Sequence, residues 1–364
     1  MLKSILRDRW LLFLLALSIL IKLFSLNEQW VERYYSLGFY PGFSVILRTL
    51  LGRIPFSIGD MLYLLAFFYI IARTWKFLKI LARRQVQEYL SWILFRKFLK
   101  LVLGIYLVFN IFWGLNYNRA GIAGQLQLDV KRYSNEELIA LTTLLSQRLN
   151  GYAAAVDSVE RLKWKDNKYL FGQGIRDYEK IKNRYPFLEY NTASIKPSLY
   201  SAVSHYFGFS GYFNPFSGEA QMNSSEPVFV KPFVLNHEIA HQLGYGKENE
   251  ASFVSFLVSK ESAEIDFRYS VYYELFYNAL SEIRINKDTS AVKNFINNLH
   301  PRVRSDKREE IAFRLRRKNK MQPYVSDFYD NYLKANNQPG GLATYNEVTA
   351  WLIAYMKKYG TKEM

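Results

Sequence analysis

There is no cysteine anywhere in the 364 residues. Its absence excludes disulfides and every thiolate-ligated metal, zinc ribbons and zinc knuckles included. Histidine is scarce too, with four copies, so each can be weighed by position. Acidic residues are outnumbered: 32 Asp and Glu face 48 Lys and Arg, a net charge of +16. Such an excess suits nucleic acid or anionic lipid, and its placement decides between them. Much of it flanks apolar runs, which favours membrane lipid and argues against a nucleic-acid partner. No internal repeat and no long low-complexity linker is present. What the chain has in quantity is apolar and aromatic residues, at 50% and 17%. That is ample for one membrane section and one globular domain with its own core.

The first 117 residues read as the membrane section. Apolar runs occupy about 10–26, 54–72 and 99–115, each near the lower limit of the roughly 20 residues that span a bilayer. The first is followed by Asn27-Glu28-Gln29-Trp30 rather than a small-residue cleavage site, so it is expected to stay as an anchor. Lys3, Arg7 and Arg9 precede it, and Arg73, Lys76, Lys79, Arg83, Arg84, Arg96, Lys97 and Lys100 separate the second and third runs. The positive-inside rule then places the N-terminus and the 73–100 loop in the cytoplasm. Three spans leave residues 118–364 outside, in the periplasm of a bacterial inner (cytoplasmic) membrane. The 73–100 loop also carries Trp75, Phe77, Leu78, Leu81, Leu90, Trp92 and Ile93, the composition of a stretch lying on the anionic inner leaflet.

The remaining sequence reads as one α+β domain, mostly helical, with a small β-sheet. Ser134 and Glu137 form a capping-box pattern that opens a helix over 135–155, with Leu138, Leu141, Leu145 and Leu149 on one face. A second helix is expected near 174–185. The Tyr-, Phe-, Gly- and Ser-rich stretch 194–223 reads as strands and turns. Helices follow over 232–243, 247–260, 264–285, 289–299, 302–319, 324–335 and 345–358, the last with Thr344 and Glu347 as a capping pair. His300, ahead of Pro301, reads as a helix-end residue, and Arg302–Lys320 as a solvated basic face or one leaning on anionic lipid.

Two of the four histidines stand four residues apart in His237-Glu238-Ile239-Ala240-His241. On a helix they differ by about 40° and lie one turn apart, the arrangement that lets two imidazoles hold one Zn²⁺. Glu238 has the place of a general base that does not bind the metal. Pro232 suits the first turn of this helix, and Gly244 and Gly246 its stop and turn. A third ligand from the protein leaves one position open for water. Glu248 and Glu250 both qualify by distance, but they differ by about 200° around the next helix, so only one can point at the metal. The other is a favourable acid in a first helical turn.

HEIAHQLG followed by ENEAS resembles the zincins of gluzincin type, in which a glutamate of the following helix completes the site. That resemblance favours Glu248 as the third ligand; Ser252 stands where those families carry an acid or amide. The whole arrangement also resembles the bacterial membrane family called domain of unknown function 3810. The shared segments are YYS and IPFS-IGD between the first two apolar runs, SGYFNPFSGEAQMN, HEIAHQLG and the closing TYNEV. What the resemblance implies is three transmembrane helices, a zincin-like domain and one zinc ion.

Several supporting parts are expected from these readings. A strand within about 208–223 is expected to line the cleft and pair with a peptide or protein substrate. Glu219 in that segment is a candidate partner for a substrate amine or a ligand histidine, or else an exposed edge acid. Tyr345, Tyr245 and His205 are candidate oxyanion donors, Tyr345 being preferred through TYNEV. The expected function is zinc-dependent hydrolysis of extracytoplasmic peptide bonds. A membrane sensor or assembly protein with a structural zinc is the alternative. Intramembrane proteolysis does not fit, because HEIAH lies far from any apolar run.

Overall fold

The structure is a computed structural model and describes residues 8–82, 92–204, 208–345 and 347–364. It is mostly helical, with one three-stranded sheet.

Helix α1 (Arg9–Ser25) is N-capped by Asp8, whose side chain accepts the Leu11 N–H at 3.1 Å. A bend of 97° leads into α2 (Glu28–Leu51), which contains a π-helical stretch over Val31–Phe39. Helix α3 (Ile58–Ala82) has 25 residues, about 37 Å of rise, and none of its apolar stretch is buried against the protein. Its length and apolar composition are enough to cross a membrane. Helix α4 (Trp92–Phe112) packs beside α1. Lys100 donates to Asp8 at 2.8 Å at one end of that pair, and Tyr35 donates to the Ile111 carbonyl at 3.0 Å at the other. The two helices therefore run parallel; the end of α4 and the start of α3 both lie at the sheet, through Trp113 on Phe213 and Gly59 on Glu219.

The expected three equal spans are corrected here. Among the described residues, only α3 is long and apolar enough to cross a membrane alone; α1 and α2 qualify together as one bent span. In α4 the cations Arg96, Lys97 and Lys100 cut the uninterrupted apolar part to Leu101–Phe112, about 18 Å of helix against the roughly 30 Å of a bilayer core. The expected surface loop over 73–100 is corrected as well. Residues 73–82 continue α3 and 92–100 begin α4, while Arg83, Arg84 and Leu90 lie outside the described residues.

Beyond a short turn at Gly114–Asn118, α5 (Asn135–Ala155) begins with the anticipated capping box: Glu137 N–H donates to Ser134 Oγ at 3.3 Å, and Ser134 N–H to the Glu137 carboxylate at 2.9 Å. Leu138, Leu141, Leu145 and Leu149 are fully buried on its inner face. Helix α6 (Asn167–Ile181) starts earlier than its apolar pattern indicates, because Asp166 accepts the Lys168 N–H and caps it. The sheet has order β1 (Ile195–Pro197), β3 (Glu219–Met222), β2 (Gly211–Asn214); β1 runs parallel to β3 and β2 antiparallel. The longer helices that follow are α7 (Lys231–Gln242), α8 (Glu248–Ser259), α9 (Ile265–Ile285), α10 (Thr289–Asn297), α11 (Pro301–Leu315), α12 (Gln322–Ala335) and α13 (Val348–Tyr359). His300 caps α11 by accepting the Arg302 N–H, as expected. The Thr344–Glu347 capping pair does not form. Thr344 Oγ1 is buried without a hydrogen bond among the described residues, and Glu347 instead accepts from Asn249 at 3.1 Å. The core gathers around α9, with α5, α7, α8 and α13 packed on it.

Candidate metal centre

Helix α7 carries Pro232 in its first turn, where a missing N–H costs nothing. It ends at a reversal in which Gly244 adopts φ +87°, and a Cβ there would lie 3.0 Å from Asn116 and Tyr40. Only glycine combines that conformation with that space. The reversal brings the start of α8 back beside α7, so Glu248 faces both histidines.

His237 Nε2 lies 3.0 Å from Glu248 Oε2, His241 Nε2 lies 3.1 Å from His237 Nε2, and His241 Nε2 lies 3.5 Å from Glu248 Oε2. A tetrahedral Zn²⁺ with bonds of about 2.0–2.1 Å spaces its ligand atoms by about 3.3–3.4 Å. The triangle has about that size, and its two imidazoles and one carboxylate could hold a metal ion. Each remaining donor position is tied down. His241 Nδ1 is 2.7 Å from the Tyr245 carbonyl, which keeps the proton on Nδ1 and leaves Nε2 facing the centre. His237 Nδ1 meets Ser252 Oγ at 3.3 Å. Glu248 Oε1 accepts from the Tyr329 hydroxyl at 2.8 Å.

The charges respond to this crowding. Burial opposes ionisation of Glu248, but His241 and hydrogen bonds from both histidines outweigh it and hold the carboxyl well below its usual range. Burial also disfavours a charged His241, yet Glu248 moves it up to about 9; burial dominates at His237 and lowers it. An ionised carboxylate set against two imidazoles is an arrangement that a bound cation would complete.

Glu238 is buried, and its Oε2 has no hydrogen-bond partner among the described residues. Burial pushes its carboxyl up to about 8, with His241 pulling down and Glu248 pushing up. It lies against β2: a Cβ on Gly211 would meet Glu238 Oε1 at 2.8 Å. Of the expected 208–223 strand, β3 is the fully buried centre of the sheet. β2 is an outer strand, and its Gly211 lies against Glu238.

Glu250 does not join the triangle. Its carboxylate turns toward Gly121 and the Ile122 amide, and burial pushes it up. The 200° separation is satisfied, with Glu248 on the metal side. Tyr345 lies over His237 with ring centroids 6.3 Å apart and planes 12° from parallel. Tyr245 contributes its carbonyl; its hydroxyl points away and donates to Gln125 at 2.8 Å. His205 lies outside the described residues. Both expectations for Glu219 are corrected. It is fully buried on the central strand and accepts the Ile58 and Gly59 N–H groups at 3.2 and 2.7 Å, at the start of α3.

Sequence reasoning missed the residues that hold the end of α7. Trp113 Nε1 donates to the His241 carbonyl at 3.2 Å, Tyr40 to that of Gln242 at 3.0 Å and Arg119 to that of Gly244 at 3.1 Å. All three come from the first 119 residues. The polar and aromatic run Trp113–Arg119 after the third apolar segment was the available signal. Tyr329 had none, being one of 28 tyrosines.

The sequence pattern of the family described as "Protein of unknown function (DUF3810)" matches residues 35–353. The chain belongs to that family. The DUF3810 match takes in α2 from residue 35 onward, all three triangle residues, Glu238, Tyr345 and the segments that hold them. No curated protein and no solved structure matches the chain.

Proposed function

We propose that this DUF3810 protein is a membrane-anchored, zincin-like zinc peptidase of the gluzincin type acting on extracytoplasmic peptides or proteins. The observation that carries the reading is the His237–His241–Glu248 triangle with the Glu238 carboxylate beside it, whose Oε2 has no hydrogen-bond partner among the described residues. His237, His241 and Glu248 would hold the ion through Nε2, Nε2 and Oε2. A bound Zn²⁺ supplies Lewis acidity toward a carbonyl and toward water. Glu238 is the base: its carboxylate takes the proton of the attacking water and delivers it to the leaving amine. Burial supports that role, because it brings the carboxyl's affinity for a proton close to neutral pH. Tyr345 is the candidate donor to the developing oxyanion. The free edge of β2 supplies backbone hydrogen bonds to an extended peptide.

The anchor belongs to the same reading. With α3 crossing the bilayer and α1 and α4 antiparallel to it, the cations at the start of α4 lie on the cytoplasmic side and the metal centre on the periplasmic side of the inner membrane. Three protein ligands favour catalysis over a structural zinc, which takes four. The test is Glu238→Gln in the full-length protein. Zinc should remain at one per chain while peptide hydrolysis is lost, and retained hydrolysis would refute the proposal.

A further inference from the structure

Helix α12 covers the metal centre and uses its sides unequally. Tyr329 donates to Glu248, Tyr332 shares a hydrogen bond with Tyr117 at 3.1 Å, and Leu333 is fully buried. Beneath that cover, His237, His241, Glu248 and Glu238 are all no more than 6% exposed. Along one flank, Met321, Tyr324 and Phe328 are 56%, 70% and 74% exposed. Their spacing of three and four residues sets them in one stripe. Leu315, at the end of α11, is likewise 63% exposed. Between Leu315 and the stripe stand the exposed cations Arg316, Lys318 and Lys320. Asp327 and Asp330 are rotated away from the stripe by about 60° or more.

The position of this flank is fixed by its neighbours. Tyr332 packs against the cluster formed by Val31, Tyr35, Tyr40, Trp113, Leu115 and Tyr117. It also lies within electrostatic reach of Tyr63, in the second turn of α3. Tyr63 in turn stacks near Tyr212 of β2, with centroids 6.0 Å apart. Helix α12 is thus held level with the end of α3 at which the chain leaves the lipid. An aromatic and apolar stripe preceded by unpaired-sign cations, at that level, has the composition of an interfacial helix.

We propose that α12 is a membrane-seated cover: Met321, Tyr324 and Phe328 dock into the polar–apolar boundary of the bilayer that α3 crosses, and Arg316, Lys318 and Lys320 bind its anionic headgroups. The inference rests on α3 being a span. It makes the element that closes the metal centre a lipid-contacting one, so a substrate reaches the centre at the membrane surface.

The absence of cysteine makes the test direct. Full-length Phe328→Cys, Phe67→Cys and Val159→Cys proteins are nitroxide-labelled and placed in nanodiscs of phosphatidylcholine with or without phosphatidylglycerol. Phe67 reports the middle of α3, and Val159, 75% exposed, reports solvent. The label at 328 should collide with oxygen, the lipid-soluble relaxant, several-fold more than the label at 159 does, and less with a water-soluble nickel complex. Arg316→Glu, Lys318→Glu and Lys320→Glu together should reduce that lipid exposure in discs containing phosphatidylglycerol. A label at 328 as aqueous as that at 159, with 67 in lipid, overturns the cover alone. An aqueous label at 67 overturns the anchor and the cover with it. Spin–spin broadening at 328 would assign the flank to a second copy of the chain and also overturn the proposal.

Discussion

Glu219 accepts the backbone N–H of Gly59 at 2.7 Å, joining the central strand of the sheet to the first turn of the long apolar helix α3. The carboxylate also takes the Ile58 N–H and hydroxyls from Ser57 and Ser217. A buried anion on the positive end of a 25-residue helix is a favourable pairing of charge with dipole. Lys196 on β1 does the converse, donating to the carbonyls of Gly52 and Ile54 just after α2. The sheet is thereby fastened to the ends of two helices of the N-terminal section.

Removing that anion leaves buried amides unsatisfied. Glu219→Ala is expected to destabilise the full-length protein by about 2–4 kcal/mol, read as a lowered melting temperature in detergent. Glu219→Gln, which keeps an acceptor oxygen, should lose less. Equal stability for all three proteins would refute the cap.

The choice between the two glutamates is a stoichiometry measurement. Glu248→Gln should lose most bound zinc, while Glu250→Gln should keep one zinc per chain. Burial disfavours the charge on Glu250, so its removal should leave stability unchanged or improved. Loss of zinc from the Glu250 variant would reverse the assignment.

Tyr329→Phe deletes a hydroxyl and nothing else. The Glu248 oxygen it binds then loses its orienting donor, and zinc affinity should fall by about 10-fold or more. Ser252→Ala should act in the same direction through His237. Chelator competition on the full chain gives both numbers.

Asp177 on α6 provides a pH signature away from the metal. Its Oδ2 is buried without a partner, and burial, against hydrogen bonds from Ser262 and Gln173, pushes the carboxyl up to about 6 from 3.8. Between about pH 4 and 6 the unfolded chain has released this proton while the folded chain still holds it. Raising the pH through that window therefore favours unfolding, by up to about 3 kcal/mol. Asp177→Asn should remove that slope, so its stability relative to the unsubstituted protein rises from pH 4 to pH 6 and is level above. Parallel melting curves across the window would show that the carboxyl is not shifted.

The sequence by itself determined the local features. The His237–His241 spacing, Pro232, the glycine at 244 and the Ser134–Glu137 box are interactions within a few residues, and such interactions are written in periodicity and residue type. It also narrowed the third ligand to two, since helical rotation lets only one of Glu248 and Glu250 face α7. Tertiary structure decided which one, by the angle of the Gly244 reversal. It alone decided that Glu219 caps α3 and that Trp113, Tyr40, Arg119 and Tyr329 secure the centre. Those contacts join residues about 80 to 200 positions apart. A polar side chain carries no mark of which distant carbonyl or carboxylate it will meet, because that partner is set by how whole elements pack.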